Sequence, residues 1–334
     1  MTEIPAAEGP YFDELSVGQV FDTAPGLTLS SGHVAQHQAI VGDRLRLALD
    51  AHLARKVTGS ELASPALVWD VSIGQSTLVT HHVKANLFYR GLAFRRFPAL
   101  GDTLYTSTEV VALRQNRPRP GRAATGLAAL RITTVDQEDR PVLDFWRCAM
   151  MPLRDPEAQT GHDADLSAVG PAPGTEKFRD AVRDWRLDAF RAVDRSPGFD
   201  ALAEGRTVQV VGGDTVSGAP ELARLILNIA EVHHDPRTTG PEGRLVYGGH
   251  TIGLALSQAT RAFPGLVTVA GWHGCDHTGP VYEGDTVTSR VTVERLESLP
   301  DGGGLAHLRS EVEAVTGQGA SRPVLDWRYA ALFA

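Results

Sequence analysis

The chain contains the same short segments twice, in the same order and at nearly the same spacing. The repeated segments are Arg-Pro-Val-Leu-Asp at 140–144 and 322–326, Gly-Asp-Thr at 101–103 and 284–286, and Phe-Asp at 12–13 and 199–200. Their offsets are 182, 183 and 187 residues. Three ordered matches at almost one spacing indicate two copies of one domain. Because one copy of a duplicated domain can lose its site while the other keeps it, the two copies have to be compared residue by residue.

Length and composition agree with a globular chain of two domains. The 334 residues are 42% hydrophobic and 22% charged, and no apolar run reaches the roughly 20 residues of a membrane span. The N-terminus lacks the pattern of a signal peptide, and two cysteines supply no disulfide framework, so we expect a cytoplasmic protein. The net charge of -8 argues against broad nucleic-acid binding but leaves room for an anionic small ligand held by local arginines. With no apolar run of spanning length, we expect no membrane partner.

The matches divide the chain into an N-terminal domain at 10–153, a linker at 154–195 and a C-terminal domain at 196–334. The linker is rich in Pro, Gly and Asp, and a helical patch is expected at about 175–193.

Each copy has the pattern of helices followed by strands. Helices are predicted at 33–41 and 66–73 in the first copy and at 220–229 and 250–263 in the second. Alternating, β-branched segments at 103–111, 127–135, 286–293 and 305–315 predict strands that pair through glycine-rich or proline-rich turns. The pattern indicates an α+β fold in which a long apolar helix lies against a bent antiparallel sheet, twice.

Several segments of the second copy resemble the MaoC-like acyl-CoA hydratase family. They are Val-His-His-Asp at 232–235, Leu-Val-Tyr-Gly-Gly-His-Thr-Ile-Gly at 245–253 and Gly-Asp-Thr at 284–286. The resemblance implies the hotdog fold, in which a sheet wraps around one helix, and the duplication implies a double hotdog. Leu-Arg-Gln-Asn at 113–116, together with 247–250, is most similar to the mesaconyl-CoA hydratases, also called β-methylmalyl-CoA dehydratases.

The catalytic motif of that family, Asp-x-Asn-Pro-x-His, is incomplete in both copies. In the second copy it falls on 228–233, where His233 is present and Asn228 replaces the aspartate. In the first copy it falls on 43–48, where Asp43 is present and Ala48 replaces the histidine. The resemblance therefore places the working site in the second copy and a degenerate site in the first.

We expect His233 to act as the base, because a neutral imidazole can take a proton from water near neutral pH. Asn228 would orient that water through its carbonyl oxygen but cannot exchange protons. Asp235, or Glu231 on the same loop, is the candidate for a second acid.

The resemblance also implies an oxyanion hole at the start of the second long helix. The match falls on Gly249, beside Gly248 and His250, where free backbone N–H groups can bind a thioester oxygen. The first copy has Ser64-Pro65-Ala66 there, and proline has no N–H to donate.

Arginine pairs are candidates for holding the phosphates of coenzyme A, since guanidinium groups bind phosphate well. We predict Arg95, Arg96, Arg117 and Arg119 for this role; solvated loop charge is the alternative. A free carboxylate on the acyl group would need a polar partner, for which His250, His277 and Arg237 are candidates.

The segment with His273, Cys275, Asp276 and His277 contains metal-ligand residue types, but its glycines argue against the helix that would align them. We therefore expect a strand that lines an acyl-CoA tunnel between the two sheets, and no metal site. The sequence has no Gly-x-Gly-x-x-Gly or P-loop motif in a suitable context, so we expect no cofactor apart from the coenzyme A of the substrate. Asp144 and Asp326 occur in both copies, which favours a structural role.

The expected function is reversible addition of water to a 2-enoyl-CoA, a hydro-lyase reaction. The resemblance implies a short, branched, dicarboxylic acyl group such as mesaconyl, and a homodimer or higher homo-oligomer. Two alternatives stay open: a hotdog acyl-CoA thioesterase, which would need a carboxylate base, and a protein that binds CoA thioesters without turnover. The sequence leaves the acyl group, the stereochemistry and the physiological direction open.

Overall fold

The computed structural model describes residues 7–170, 174–317 and 319–334. The helices within these ranges are α1 (Ser31–Val41), α2 (Arg46–Leu49), α3 (Ala51–Thr58), α4 (Pro65–Gln75), α5 (Thr175–Asp180), α6 (Leu187–Val193), α7 (Ala219–Leu225) and α8 (Gly248–Ala262). Short 3-10 turns connect them, among them Ser76–Leu78 after α4 and Glu231–His233 after α7. None of the helices described is both long and apolar enough to cross a lipid bilayer.

The strands are β1 (Val20–Phe21), β2 (Leu27–Thr28), β3 (Ala85–Phe94), β4 (Thr103–Gln115), β5 (Thr125–Val135), β6 (Pro141–Pro152), β7 (Thr207–Gln209), β8 (Asp214–Thr215), β9 (Leu266–His277), β10 (Thr286–Ser298), β11 (Gly304–Val315) and β12 (Arg322–Phe333). In the described residues they form one sheet in the order β1-β4-β5-β6-β3-β9-β12-β11-β10-β7, with β2 beside β4 and β8 beside β10.

The two halves of the sheet repeat one topology. The order β4-β5-β6-β3 in the first half matches β10-β11-β12-β9 in the second. The halves join where β3 runs antiparallel to β9, with Tyr89 opposite Cys275. Register shifts occur at 110/112 in β4 and at 293/295 in β10, and such bulges bend a strand and increase its twist.

Each half of the sheet covers one central helix. Every residue of α4 is buried, as are residues 249–260 of α8. Helix α4 contacts β4 and β5, α8 contacts β10, β11 and β12, and the two helices also touch each other. Trp69 on α4 packs against Trp272 on β9 with ring centroids 4.9 Å apart, so a helix of the first half is anchored on a strand of the second.

Most predicted elements are present, and the clearest difference lies at the end of α7. A helix was expected over 220–229, but α7 ends at Leu225 and Leu227 has a positive φ of 61°. A Cβ on Gly74 would lie 1.7 Å from the carbonyl oxygen of Ile226, so α4 and this chain segment are in backbone contact. The chain therefore leaves the helix early and crosses the end of α4.

The linker contains two short helices, α5 and α6, in place of one helical patch. Asp144 and Asp326 both form ion pairs at the sheet, Asp144 with Arg95 at 2.7 Å and Asp326 with Arg309 at 2.7 Å. Their structural role agrees with their presence in both copies.

Candidate active site

A cavity of about 230 Å³ lies between the two halves of the molecule. The first half contributes the end of α4, the turn after it and strands β3 and β6, while the second contributes the loop after α7, the start of α8 and the end of β9. The polar residues of the lining are Thr77, Thr80, Lys84, Asn86, Tyr89, Arg147, Asn228, His233, Tyr247, Thr251, His277 and Thr278. No aspartate or glutamate is among the described lining residues, and the charged ones, Lys84 and Arg147, are both cationic.

His233 lies at the end of the 3-10 turn after α7 and is 8% exposed. Its Nδ1 lies 2.9 Å from the carbonyl oxygen of Leu245. Because a carbonyl oxygen only accepts hydrogen bonds, Nδ1 carries the proton, and Nε2 of the neutral ring keeps a free lone pair. Burial lowers the pKa of His233 to about 4. The imidazole is therefore neutral at pH 7 and able to accept a proton.

The loop that carries His233 is tied to the first half. The N–H of Ile229 donates to the Thr77 hydroxyl at 3.0 Å, and the N–H of Glu231 donates to the carbonyl oxygen of His81 at 3.1 Å. The early end of α7 brings these groups within reach. The position of His233 thus depends on contacts between the two copies.

Asn228 lines the cavity, but its carbonyl oxygen has a different partner from the one expected. Oδ1 accepts a hydrogen bond from the N–H of Ala230 at 2.9 Å, and the main-chain oxygen accepts one from His234 Nε2 at 2.6 Å. The side-chain Nδ2 makes no hydrogen bond to a described residue. Asn228 is therefore available to the cavity chiefly as a hydrogen-bond donor, where the sequence suggested an acceptor.

Asp235 is not placed to act as the second acid. Its carboxylate forms an ion pair with Arg237 at 2.6 Å, which lowers the carboxyl pKa to about 2, and neither residue lines the cavity. The Arg237 side chain is 88% exposed, so it is also excluded as a partner for a substrate carboxylate. Glu231 lies 3.6 Å from His82, likewise outside the cavity.

Helix α8 begins two residues earlier than predicted, so both glycines belong to its first turn. Their N–H groups donate to no described residue. Gly248 lines the cavity, whereas a Cβ on Gly249 would lie 2.4 Å from both the Tyr247 ring and Asp70 Oδ1. The helix start can bind developing negative charge, with Gly248 at the cavity wall and Gly249 required for close packing.

The two histidines proposed from the sequence near this helix have different surroundings. His250 is fully buried in α8 and does not line the cavity; neither of its ring nitrogens has a hydrogen-bond partner among the described residues. His277 does line the cavity, and its Nε2 also has no hydrogen-bond partner within the described part of the chain. Burial lowers the pKa of each ring to about 4, so both are neutral at pH 7.

The sequence analysis assigned no role to Asp70 or Arg147, and it included Tyr247 only as part of the matched segment 245–253. The Tyr247 hydroxyl donates to Asp70 Oδ1 at 3.1 Å, and the other Asp70 oxygen lies 3.0 Å from His37 Nε2. Asp70 is fully buried in α4 and contacts the residue that precedes α8. The signal available for this cluster was that Asp70 is the one charged residue of a largely apolar helix.

A second, basic groove of about 810 Å³ shares Lys84 and Leu87 with the cavity. Its lining includes Arg114, Arg117, Arg119 and Arg122. None of these four forms a side-chain ion pair with a described residue. The groove leads from the cavity to a cluster of unpaired positive charge.

The other two predicted arginines lie elsewhere. Arg95 pairs with Asp144, and Arg96 pairs with Asp102 at 3.1 Å and also with Asp136. Neither lines the cavity or the groove. Both guanidinium groups are paired with carboxylates of the first half, so neither arginine is still a candidate for binding phosphate.

The candidate metal residues lie along β9 and have other partners. His273 Nε2 is 2.7 Å from His307 Nδ1, Asp276 pairs with Arg90 at 2.5 Å, and Cys275 is buried. Among the described residues, no cluster of three or more such side chains is arranged to hold a metal ion.

No family model matches the chain. It is 28% identical over 333 residues to the β-methylmalyl-CoA dehydratase of Chloroflexus aurantiacus, covering 96% of this chain and 91% of that protein. It is 27% identical over 317 residues to the mesaconyl-CoA hydratase of Cereibacter sphaeroides, covering 90% and 88%.

Several solved structures match over nearly the whole length. A conserved hypothetical protein of Mycobacterium tuberculosis with a double hotdog fold is 57% identical, with a TM-score of 0.90 and coverage of 98% of this chain and 99% of that one. A Chloroflexus aurantiacus structure described as a MaoC domain protein dehydratase is 25% identical, with a TM-score of 0.84 and 99% coverage of both chains. The duplicated sheet, the two buried helices and these matches together show that the chain belongs to the MaoC-like double-hotdog family.

Proposed function

We propose that the protein catalyses the reversible addition of water to the double bond of a 2-enoyl-CoA. The observation that carries the proposal is that a neutral imidazole with a free Nε2 and a helix start with free N–H groups line one cavity. The first is a base for water, and the second stabilises the enolate that forms when water attacks the β-carbon. The two curated relatives are named as a hydratase and a dehydratase of CoA thioesters.

In the proposed reaction the thioester oxygen accepts hydrogen bonds at the start of α8, near Gly248. His233 Nε2 takes a proton from a water molecule as the water oxygen bonds to the β-carbon, and Asn228 Nδ2 donates to that oxygen. Negative charge moves to the thioester oxygen. Since no carboxylate is among the described lining residues, we assign return of the proton to the α-carbon to the His233 imidazolium.

For the acyl group we propose a short, branched, dicarboxylic chain such as mesaconyl, because both curated relatives are named for that pair of compounds. The coenzyme A phosphates would bind in the basic groove at Arg117 and Arg119, which adjoins the cavity through Lys84. Guanidinium groups without carboxylate partners are suited to phosphate. A cytoplasmic location and a homo-oligomeric state stay predictions from the sequence.

The test is to incubate the protein with mesaconyl-CoA and follow both the enoyl-thioester absorbance and free thiol. Hydration predicts loss of absorbance without release of thiol. Release of thiol would favour the thioesterase, which the lack of a carboxylate base in the described lining argues against. Tight binding with no chemical change would favour a non-catalytic binding protein, which the incomplete motif in both copies allows.

A further inference from the structure

Arg147 is a buried cation that lines the candidate active site. It lies on β6 of the first half and is 3% exposed. Its Nη2 donates to the carbonyl oxygen of Ser76 at 3.0 Å and to the Thr80 hydroxyl at 2.8 Å. Both acceptors belong to the turn after α4. These bonds fix the guanidinium at the cavity wall.

The charge of Arg147 has no carboxylate partner in the described residues. Among the residues that the structure describes, none forms an ion pair with it, none accepts a hydrogen bond from its buried Nε, and none accepts one from Nη1. The described cavity lining contains no aspartate or glutamate. Burial lowers the pKa of the guanidinium from its usual value, but an arginine stays charged. A buried charge is costly unless it is paired, so an anion in the cavity would compensate it.

The hydrogen bonds to the turn after α4 do not by themselves explain why an arginine occupies this position. The repeat aligns Asp144 with Asp326 and therefore Arg147 with Tyr329. Tyr329 occupies the same place on β12, opposite Leu308 as Arg147 is opposite Leu130. The second copy thus builds the same strand around an uncharged side chain. The cation belongs only to the copy whose strand faces the cavity.

The proposed substrate carries an anion that would lie close to His233 and Arg147. In mesaconyl-CoA the free carboxylate is attached to the β-carbon, the atom that the water attacks. A group that binds this carboxylate must therefore lie in the same small cavity as the base. Arg147 meets that condition, since it and His233 line one cavity and its charge acts on the His233 ring.

The inference that follows rests on the proposed hydratase function. We propose that Arg147 binds the carboxylate on the β-carbon and so selects dicarboxylic over monocarboxylic acyl-CoA substrates. The candidates taken from the sequence for this role were His250, His277 and Arg237. Only His277 of these lines the cavity, and it is uncharged at neutral pH.

The test compares two saturated thioesters that cannot be hydrated. Succinyl-CoA and butyryl-CoA have the same four-carbon chain and differ in a terminal carboxylate against a methyl group. Calorimetry should show that the wild-type protein binds succinyl-CoA about tenfold or more tightly than butyryl-CoA, since a charge-assisted hydrogen bond is made only to the first. Arg147→Met should abolish the preference, and Arg147→Lys should keep part of it.

Arg131→Met is the matched control, because Arg131 lies on the neighbouring strand β5, is exposed and contacts the Trp146 ring. It should keep the wild-type preference. Equal affinity of the wild-type protein for the two thioesters would overturn the proposal without any variant, even if Arg147→Met fails to fold. Hydration of an enoyl-CoA together with equal affinities would refute only the role of Arg147. A preference that needs Arg147 but comes without hydration would refute the proposed function.

Discussion

At the scale of single residues, the site depends on how burial changes ordinary side chains. His233 was predicted from its position in a family motif, and its contact with the Leu245 carbonyl oxygen determines which ring nitrogen is free to accept a proton. Motif position predicted His233 and Asn228 in the cavity lining. It could not predict that Asn228 Oδ1 is used by Ala230, because that bond depends on the local turn. Nor could it find Arg147, whose isolation from carboxylates is a property of the folded cavity.

The pKa of His233 can be tested by the pH dependence of hydration. Because burial lowers this pKa to about 4, the base stays neutral well below pH 6.5, and protonation removes activity only near pH 4. With crotonyl-pantetheine, which carries neither phosphate nor carboxylate, kcat/KM should be level from pH 8 to 5 and fall with an apparent pKa near 4. An acid limb near pH 6.5 would mean that the ring is solvated in the free enzyme.

His250 should make the protein less stable in acid. Its pKa is about 4 when folded and about 6.5 when unfolded, so the unfolded state binds more protons between these values and stability falls as pH decreases through them. His250→Leu removes this loss. Between pH 7.5 and pH 5, the free energy of unfolding of the wild type should therefore fall by about 2 kcal/mol more than that of His250→Leu. Urea unfolding at both pH values measures it. If the two proteins differ in unfolding free energy by the same amount at pH 7.5 and at pH 5, this account is contradicted.

At the scale of elements, helix and strand positions were largely readable from periodicity, while their ends were not. The strands at 103–111 and 286–293 were found but run longer, as β4 and β10. The helix after 219 was predicted to reach 229, yet it ends at Leu225 where the chain meets Gly74 of the other copy. Contact between the copies overrode the local pattern, and a single window of sequence carries no information about such contact.

The start of α8 should tolerate no side chain at Gly249. An added Cβ would lie 2.4 Å from Asp70 Oδ1 and from the Tyr247 ring, so Gly249→Ala should lower the free energy of unfolding by about 1–3 kcal/mol. Gly32→Ala in the first turn of α1 is the control, since the nearest atom there is the Ser30 hydroxyl at 3.6 Å. Denaturant unfolding should show that only the first variant is destabilised. Equal stability of both would mean that the packing around Gly249 is loose.

At the scale of the whole molecule, the two copies contribute different parts of the candidate active site. The second copy holds the proposed base His233 and the start of α8, and the first supplies the opposite wall with Tyr89 and Arg147. The repeat in the sequence predicted two copies and a degenerate first site. The sequence placed candidate arginines for coenzyme A on the first copy. It did not predict that Tyr89 and Arg147 of that copy line the same cavity as His233, because that follows from the pairing of β3 with β9.

The basic groove should act on the coenzyme A part of the substrate alone. Replacing Arg117 and Arg119 together with glutamine should raise KM for crotonyl-CoA about tenfold and reduce its salt dependence, because two cations facing the phosphates are lost. The KM for crotonyl-pantetheine should not change. Arg95→Gln, at a residue paired with Asp144, is the control and should leave both KM values unchanged. An equal rise for both thioesters would place the arginines outside the phosphate site.

The most direct test of the central claim is the hydration rate of the His233→Gln variant with mesaconyl-CoA. Glutamine keeps a polar side chain of similar length but cannot accept a proton from water. We predict that kcat falls by about 100-fold or more while the thermal unfolding temperature is retained, and that His52→Gln, at an exposed site on α3, keeps full activity. A His233→Gln variant that turns over mesaconyl-CoA within a few-fold of the wild-type rate would contradict the account.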